Sequence, residues 1–290
     1  MEAQMTKVKK RKTSQIYEVW HRLKKNKMAM AGLYVLIFIL LASLIGPFLL
    51  PYSYDVQNYD VRSQFPNLKH IFGTDNFGRD ILTRILVGGR YTLFIVFICI
   101  TAAALIGSLL GLLAAYYQKV DNIIMRVIDI FMGIPTMMMC VSIVAALGSN
   151  MRNMMIALIV TQSPEFARIM RAQVLTVRDK EFIEAARSIG CSNGRIILYH
   201  IIPNVLAPII VQYTLGAVNV ILMSASLSFV GMGVQPPTPE WGLMISAGRD
   251  YLRDYWHIAI IPGLAIVVTA FALNMLGDGL RDALDPRLKQ

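Results

Sequence analysis

The stretch 179–203, DKEFIEAARSIGCSNGRIILYHIIP, runs from Asp179 to Pro203 and is set between apolar segments of the chain. Asp179 is a candidate helix cap, Lys180 and Glu181 follow in the first turn, and Gly190 suits the left-handed end of that helix. The spacing predicts a helix of about ten residues. Within it Phe182, Ala185, Ala186 and Ile189 fall at i, i+3, i+4 and i+7, one apolar stripe bordered by Glu181, Glu184, Arg187 and Ser188. A helix with one apolar stripe lies along a surface, and its two alanines keep part of the stripe shallow enough for another backbone to approach. A second short helix is expected from Ser192 to Pro203. Two occupants fit the stripe: lipid, on which an interfacial helix rests, or another protein.

What surrounds this stretch is not a soluble domain. The 290 residues are 56% hydrophobic and only 16% charged, with a mean hydropathy of +0.54. A hydrocarbon core of about 30 Å takes roughly 20 helical residues. Residues 28–54, 91–118, 130–151 and 255–277 contain no Asp, Glu, Lys or Arg, which gives four spans. The uncharged run 196–239 gives a fifth, confined to roughly 204–230 because Pro203 and Pro208 stand at its start and Pro236, Pro237 and Pro239 at its end. A sixth begins in 153–164 and spans only if its helix continues to about 175, with Glu165, Arg168 and Arg171 at or beyond the interface.

Loop lysines and arginines set the expected orientation. Residues 1–27 carry Lys7, Lys9, Lys10, Arg11, Lys12, Arg22, Lys24, Lys25 and Lys27, so this tail is expected in the cytoplasm. With six spans, 20 of the 28 basic residues lie on the cytoplasmic side, including Arg281, Arg287 and Lys289. The expected organisation is a basic tail (1–27), a first transmembrane helix (28–50), an extracytoplasmic loop (51–90), a five-helix core (91–276) holding the cytoplasmic loop 176–203, and a cytoplasmic tail (277–290). The first apolar run ends in Gly46-Pro47-Phe48 without a small-residue cleavage site, so it reads as a retained helix.

Several functions are disfavoured. The net charge of +10 sits beside hydrophobic spans and forms no basic stripe with interleaved aromatics, so no nucleic-acid partner is expected. No Gly-Lys pair exists from which a P-loop is built. The histidines His21, His70, His200 and His257 are scattered and form no metal motif, and no nucleophile signature is present. Cys99, Cys140 and Cys191 provide no disulfide framework. No catalytic residue, metal or cofactor is expected in this chain. A channel or ion-coupled transporter would show intramembrane carboxylates, of which the expected span interiors hold essentially none.

Glu184-Ala185-Ala186, three residues, Gly190 and the ending Ile202-Pro203 resemble the EAA loop of binding-protein-dependent ABC importers, although the usual Ile-x-Leu-Pro ending reads His200-Ile201-Ile202-Pro203 here. Three more stretches resemble the C-type permease subunit of dipeptide and oligopeptide importers (the OppC/DppC family). They are Phe72-Gly73-Thr74-Asp75-Asn76-Phe77-Gly78-Arg79-Asp80, the segment 227–242 with Gln235-Pro236-Pro237-Thr238-Pro239-Glu240-Trp241-Gly242, and Gly277-Asp278-Gly279-Leu280-Arg281-Asp282-Ala283-Leu284-Asp285-Pro286. The resemblance covers about residue 70 to the end.

The resemblance implies an all-α integral membrane protein of the type I ABC importer permease fold, with six transmembrane helices and a cytoplasmic coupling helix, in a bacterial inner membrane. It implies a homologous B-type permease as partner, two cytoplasmic ATPase subunits that hold the ATP and Mg, and an extracytoplasmic substrate-binding protein. Phe182, Glu184, Ala185, Ala186, Ile189, Gly190 and Pro203 would couple to the ATPases. The implied substrate is a peptide, with nickel complexes and glutathione-like conjugates as alternatives within the family. Gly73, Thr74, Asp75, Gly78, Arg79 and Asp80 would be extracytoplasmic motif residues by the resemblance, and on physical grounds Gly73, Gly78, Asp75 and Asp80 suit tight turns whose side chains bond backbone amides. Pro236 and Pro237 stiffen an outer connection, and Trp241 is expected at the membrane interface. Gln212, Tyr213, Thr214, Asn219 and Asn274 should face a partner helix or a wet pathway rather than lipid.

Overall fold

The computed structural model describes residues 15–284. Lys7 to Lys12 of the basic tail, and Asp285, Pro286, Arg287 and Lys289, lie outside these residues. The described chain is helical, with a single isolated bridge between Thr74 and Asp80. In order it forms α1 (Gln15–Lys25), α2 (Lys27–Leu49), α3 (Ile81–Tyr116), α4 (Gln118–Met132), α5 (Thr136–Leu147), α6 (Met151–Val177), α7 (Glu181–Ser188), α8 (Asn193–Arg195), a π-helical segment (Ile196–Ile201), α9 (Ile202–Phe229), α10 (Trp241–Gly248) and α11 (His257–Leu284).

Four of these helices are long and apolar enough to cross a membrane: α2, α3, the run Asn193–Phe229 and α11. Their outer faces carry large exposed side chains such as Phe38, Phe97, Leu105 and Phe271. That surface suits hydrocarbon or a partner helix rather than water. The Asn26 side chain caps α2 by accepting from the amides of Met28 and Ala29.

The boundaries depart from expectation in three places. Helix α3 starts at Ile81 and is 36 residues long, about 54 Å, so it extends ten residues into the region read as loop. It does so because Asp80 caps it and because its arginines have partners: Arg84 donates to the Tyr54 carbonyl (2.7 Å) and Arg90 to those of Ser43 and Leu44 (2.7 Å each). The expected span 130–151 is instead a broken pair, α4 and α5, bent by 92° at Gly133–Pro135, which counts as a fifth span only if the pair is taken together. Helix α5 alone is about 18 Å long. Helix α6, 27 residues, does continue past residue 175, to Val177, with Glu165 as its fifteenth residue. About 21 Å of helix precedes Glu165. Lastly, no helix break occurs at Pro203. The chain is helical from Asn193 through Phe229, because the π-helical turn realigns the hydrogen bonds before the proline; the Ile202 amide donates five residues back to Ile197. Asn204 adds a side-chain bond to the His200 carbonyl (2.7 Å).

Helix α3 packs along α6, α9 crosses both and lies on α11, and α2 lies on α11 and α3. The centre is Ile95, Cys99, Ile100 and Ala103 of α3 with Met154, Leu158 and Phe166 of α6 and Ile221 of α9. Small residues bring the backbones together, as membrane helices require in the absence of a hydrophobic drive between them. A Cβ at Gly111 would strike the Ala167 backbone, and one at Gly107 the Ser163 carbonyl. Gly111→Leu is therefore expected to cost about 3 kcal/mol through overpacking at the α3–α6 contact. Thermal unfolding of the detergent-solubilised protein measures it, and an unchanged melting temperature would refute the contact.

Candidate functional site

The loop after α6 is tied down from below. The Arg178 Nη1 donates to the Ala115 carbonyl at the end of α3 (2.6 Å), and the Tyr116 hydroxyl donates to Asn193 (2.7 Å). Arg171 of α6 makes a two-pronged pair with Asp121 of α4, both contacts at 2.6 Å. These anchors escaped the sequence reading, which assigned charged residues to sides of a membrane and not to one another.

Helix α7 is eight residues long and begins after Lys180. Asp179 does not cap it, a correction to the expected start; its carboxylate pairs with Arg178 instead (3.2 Å). Of the four residues of the expected apolar stripe only Ala186 is buried, and its buried companion is Ile183, outside that stripe. Ile183 (0% exposed) and Ala186 (5%) are buried in the chain's own core, in the same cluster as Ile196 and Ile201 of the π segment. Phe182 (41%), Ala185 and Ile189 (81%) point away, with Glu184 beside them. Gly190 has φ of +80° and open space where a Cβ would sit, so conformation and not crowding calls for glycine. It lets the Cys191 amide return to the Ala186 carbonyl (3.1 Å). Pro203 lies just inside α9, where it extends the rod that α7 packs against. Sequence spacing found this helix but missed Ile183 as its anchor.

At the other end of the spans, 72–80 is a buried polar knot. Asp75 accepts from the amides of Phe77 (2.9 Å) and Arg79 (3.0 Å), and its other oxygen takes Arg79 Nε (2.7 Å), with Arg84 Nε at 3.5 Å. Asp80 takes the Thr83 amide and hydroxyl (2.8 Å each) and faces His70 Nδ1 at 2.9 Å. The Thr74 hydroxyl donates to the Val61 carbonyl and accepts the Gln64 amide. Gly73 and Gly78 turn the chain at φ of +78° and +72°. The expected tight turns with side chains on amides are observed.

The Pro236-Pro237 segment leads to Glu240 and Trp241, which lie inside the fold. Trp241 is 1% exposed and its indole donates to the Ile85 carbonyl (2.9 Å), so the expected interfacial tryptophan is a core residue of the α3 contact. Glu240 is fully buried and caps α10, taking the amides of Gly242 (3.0 Å) and Leu243 (2.9 Å). Burial pushes its carboxyl above the usual range, opposed by those two amides. Of the polar residues in the spans, Tyr213 pairs with Thr101 (2.8 Å), Thr214 bonds its own helix, and Asn219 is exposed on α9. Among the described residues no group of three His, Cys, Asp or Glu is placed to hold a metal.

Residues 107–290, which include the α7 loop, match the family model described as the inner membrane component of binding-protein-dependent transport systems. Residues 14–68 match the N-terminal transmembrane domain of oligopeptide transport permease C. The chain belongs to the binding-protein-dependent permease family. Over 273 residues it is 44% identical to the dipeptide transport system permease protein DppC of Alkalihalophilus pseudofirmus, covering 94% of this chain and 90% of that one. It is 38% identical to the di/tripeptide permease DppC of Pseudomonas aeruginosa (95% and 93% covered) and 42% identical to the glutathione permease GsiD of Escherichia coli (94% and 91%). The permease fold is shared with the MetNI methionine ABC transporter in inward-facing conformations, at a TM-score of 0.56 and 20% identity over 68% of this chain and 94% of that one.

Proposed function

We propose that this permease is the C-type subunit of an ATP-driven importer of dipeptides or oligopeptides. It sits in a bacterial inner membrane with both termini cytoplasmic, pairs with a homologous B-type permease, and carries no catalysis of its own. Two ATPase subunits hold ATP and Mg, and an extracytoplasmic binding protein delivers substrate. The observation that carries this reading is the two faces of α7: Ile183 and Ala186 fasten the helix to its own spans, while Phe182, Ala185 and Ile189 are exposed on the outward side. Exposed apolar groups on a short anchored helix suit a protein groove. When ATP closes the ATPases, α7 is carried with them, and the spans change between inward- and outward-facing states by differential docking.

The peptide substrate is supported by the 44% identity to a dipeptide permease, and the glutathione relative supports a conjugate of that peptide-like kind as second reading. The ion-coupled alternative gains one carboxyl from Glu165 within α6, but the family assignment speaks against it. The test is coexpression with the neighbouring permease, ATPases and binding protein, followed by uptake of radiolabelled alanyl-alanine into proteoliposomes. Uptake should need ATP and the binding protein, and the ATPases should copurify. ATP-independent uptake, or a chain that copurifies with no ATPase, refutes the reading; saturable glutathione uptake that alanyl-alanine does not compete selects the second.

A further inference from the structure

A cavity of about 480 Å³ opens where α4 and α5 meet at their bend, walled by the middle of α6 and of α9. Such a volume is that of a small-molecule site. Much of the wall is apolar and adaptable, with Met139 of α5 and Met223 of α9. Into it come Gln162, 6% exposed, Asn219 and the carboxyl group of Glu165.

Glu165 is the one ionisable residue of that wall, and among the described residues it has no ion pair. The arginines that follow it on α6 are engaged elsewhere: Arg168 with Asp129 at 3.0 Å and Arg171 with Asp121 at 2.6 Å. Pro164, also on the wall, has no N–H and so adds no backbone donor to compete for the carboxylate. A carboxylate among apolar side chains attracts a cation more strongly than one in water, because the field is less screened. An ionisable group within a spanning helix marks a substrate path. The geometry therefore offers acceptors without a donor cation of its own.

We infer that this cavity is a subsite for a protonated amine on the translocation path, with Glu165 as counter-charge. Resting on the importer reading above, the ligand class is the ammonium group of a short peptide, at its N-terminus or on a lysine side chain. Gln162 and Asn219 serve the adjoining amide groups.

The assembled transporter in proteoliposomes, with binding protein and ATP, tests this through Glu165→Gln, which keeps size and removes charge. Wild-type ATP-dependent uptake of alanyl-alanine is the control: if that is absent, the importer reading fails and not this one. Where it is present, Glu165→Gln is expected to lower uptake about tenfold or more, the effect of losing a charge-assisted hydrogen bond, with basal ATP hydrolysis within about twofold of wild type and partial recovery in Glu165→Asp. Vesicles preloaded with alanyl-alanine, N-acetyl-alanyl-alanine or N-acetyl-alanyl-lysine identify the amine. Inhibition of wild-type uptake by alanyl-alanine alone assigns the N-terminus, and inhibition by the lysine peptide as well assigns any ammonium. Equal inhibition by the N-acetyl peptide lacking lysine overturns the inference. So does wild-type uptake by Glu165→Gln, or a parallel fall in its basal ATP hydrolysis, which would mark a structural role.

Discussion

Ala185→Asp is expected to reduce ATP-driven peptide uptake at least about 100-fold while the chain still inserts and pairs with its partner permease. Ala185 is on the outward half of α7, so a carboxylate there is hydrated in the isolated chain and costs the fold little. In the complex it would be stripped of water against the ATPase without a partner, a cost of several kcal/mol, and every 1.4 kcal/mol is about tenfold in affinity. The expected signature is loss of ATPase copurification or of uptake at unchanged membrane abundance. Uptake near wild type would exclude α7 from the docking surface. Ala186→Asp, one residue on, does not distinguish docking from folding, because Ala186 is packed on the chain's own core.

Asp75→Ala carries the largest expected effect on stability. Arg79 and Arg84 are 7% and 4% exposed, and the Asp75 carboxylate stands between them while also taking two backbone amides. Removing one partner of a buried ionic cluster leaves uncompensated charge, at about 3–5 kcal/mol. For a chain of this size that lowers the melting temperature by roughly 10 °C. The solubilised protein should also be cut faster by protease in the loop between α2 and α3. A melting temperature within about 2 °C of wild type would mean that the arginines are hydrated.

The sequence revealed the helical membrane class, the α2 and α11 spans and the α7 helix because each rests on a local pattern: an uncharged run or a four-residue stripe. The errors came where distant partners decide. Residues Ile81 to Arg90 read as loop because two of them are arginines, yet Tyr54, Ser43 and Leu44 supply their acceptors from other segments. Trp241 looked interfacial from its type, and only the Ile85 carbonyl explains its burial. The bend at Gly133–Pro135 had a proline signal that the uncharged run obscured. Which face of α7 points inward was also not legible, since Phe182, on the expected stripe, and Ile183, off it, are adjacent and both apolar; the position of the π segment decides it.

The unbroken helix from Asn193 to Phe229 has a mechanical consequence. Its 37 residues make a stiff rod of about 55 Å, and one end packs against α7 while the other meets the connection to Glu240. A tilt of only about 10° swings the far end by roughly 10 Å over such an arm. A small push on an eight-residue helix is thereby amplified into a displacement as wide as a peptide, and no hinge at Pro203 absorbs it.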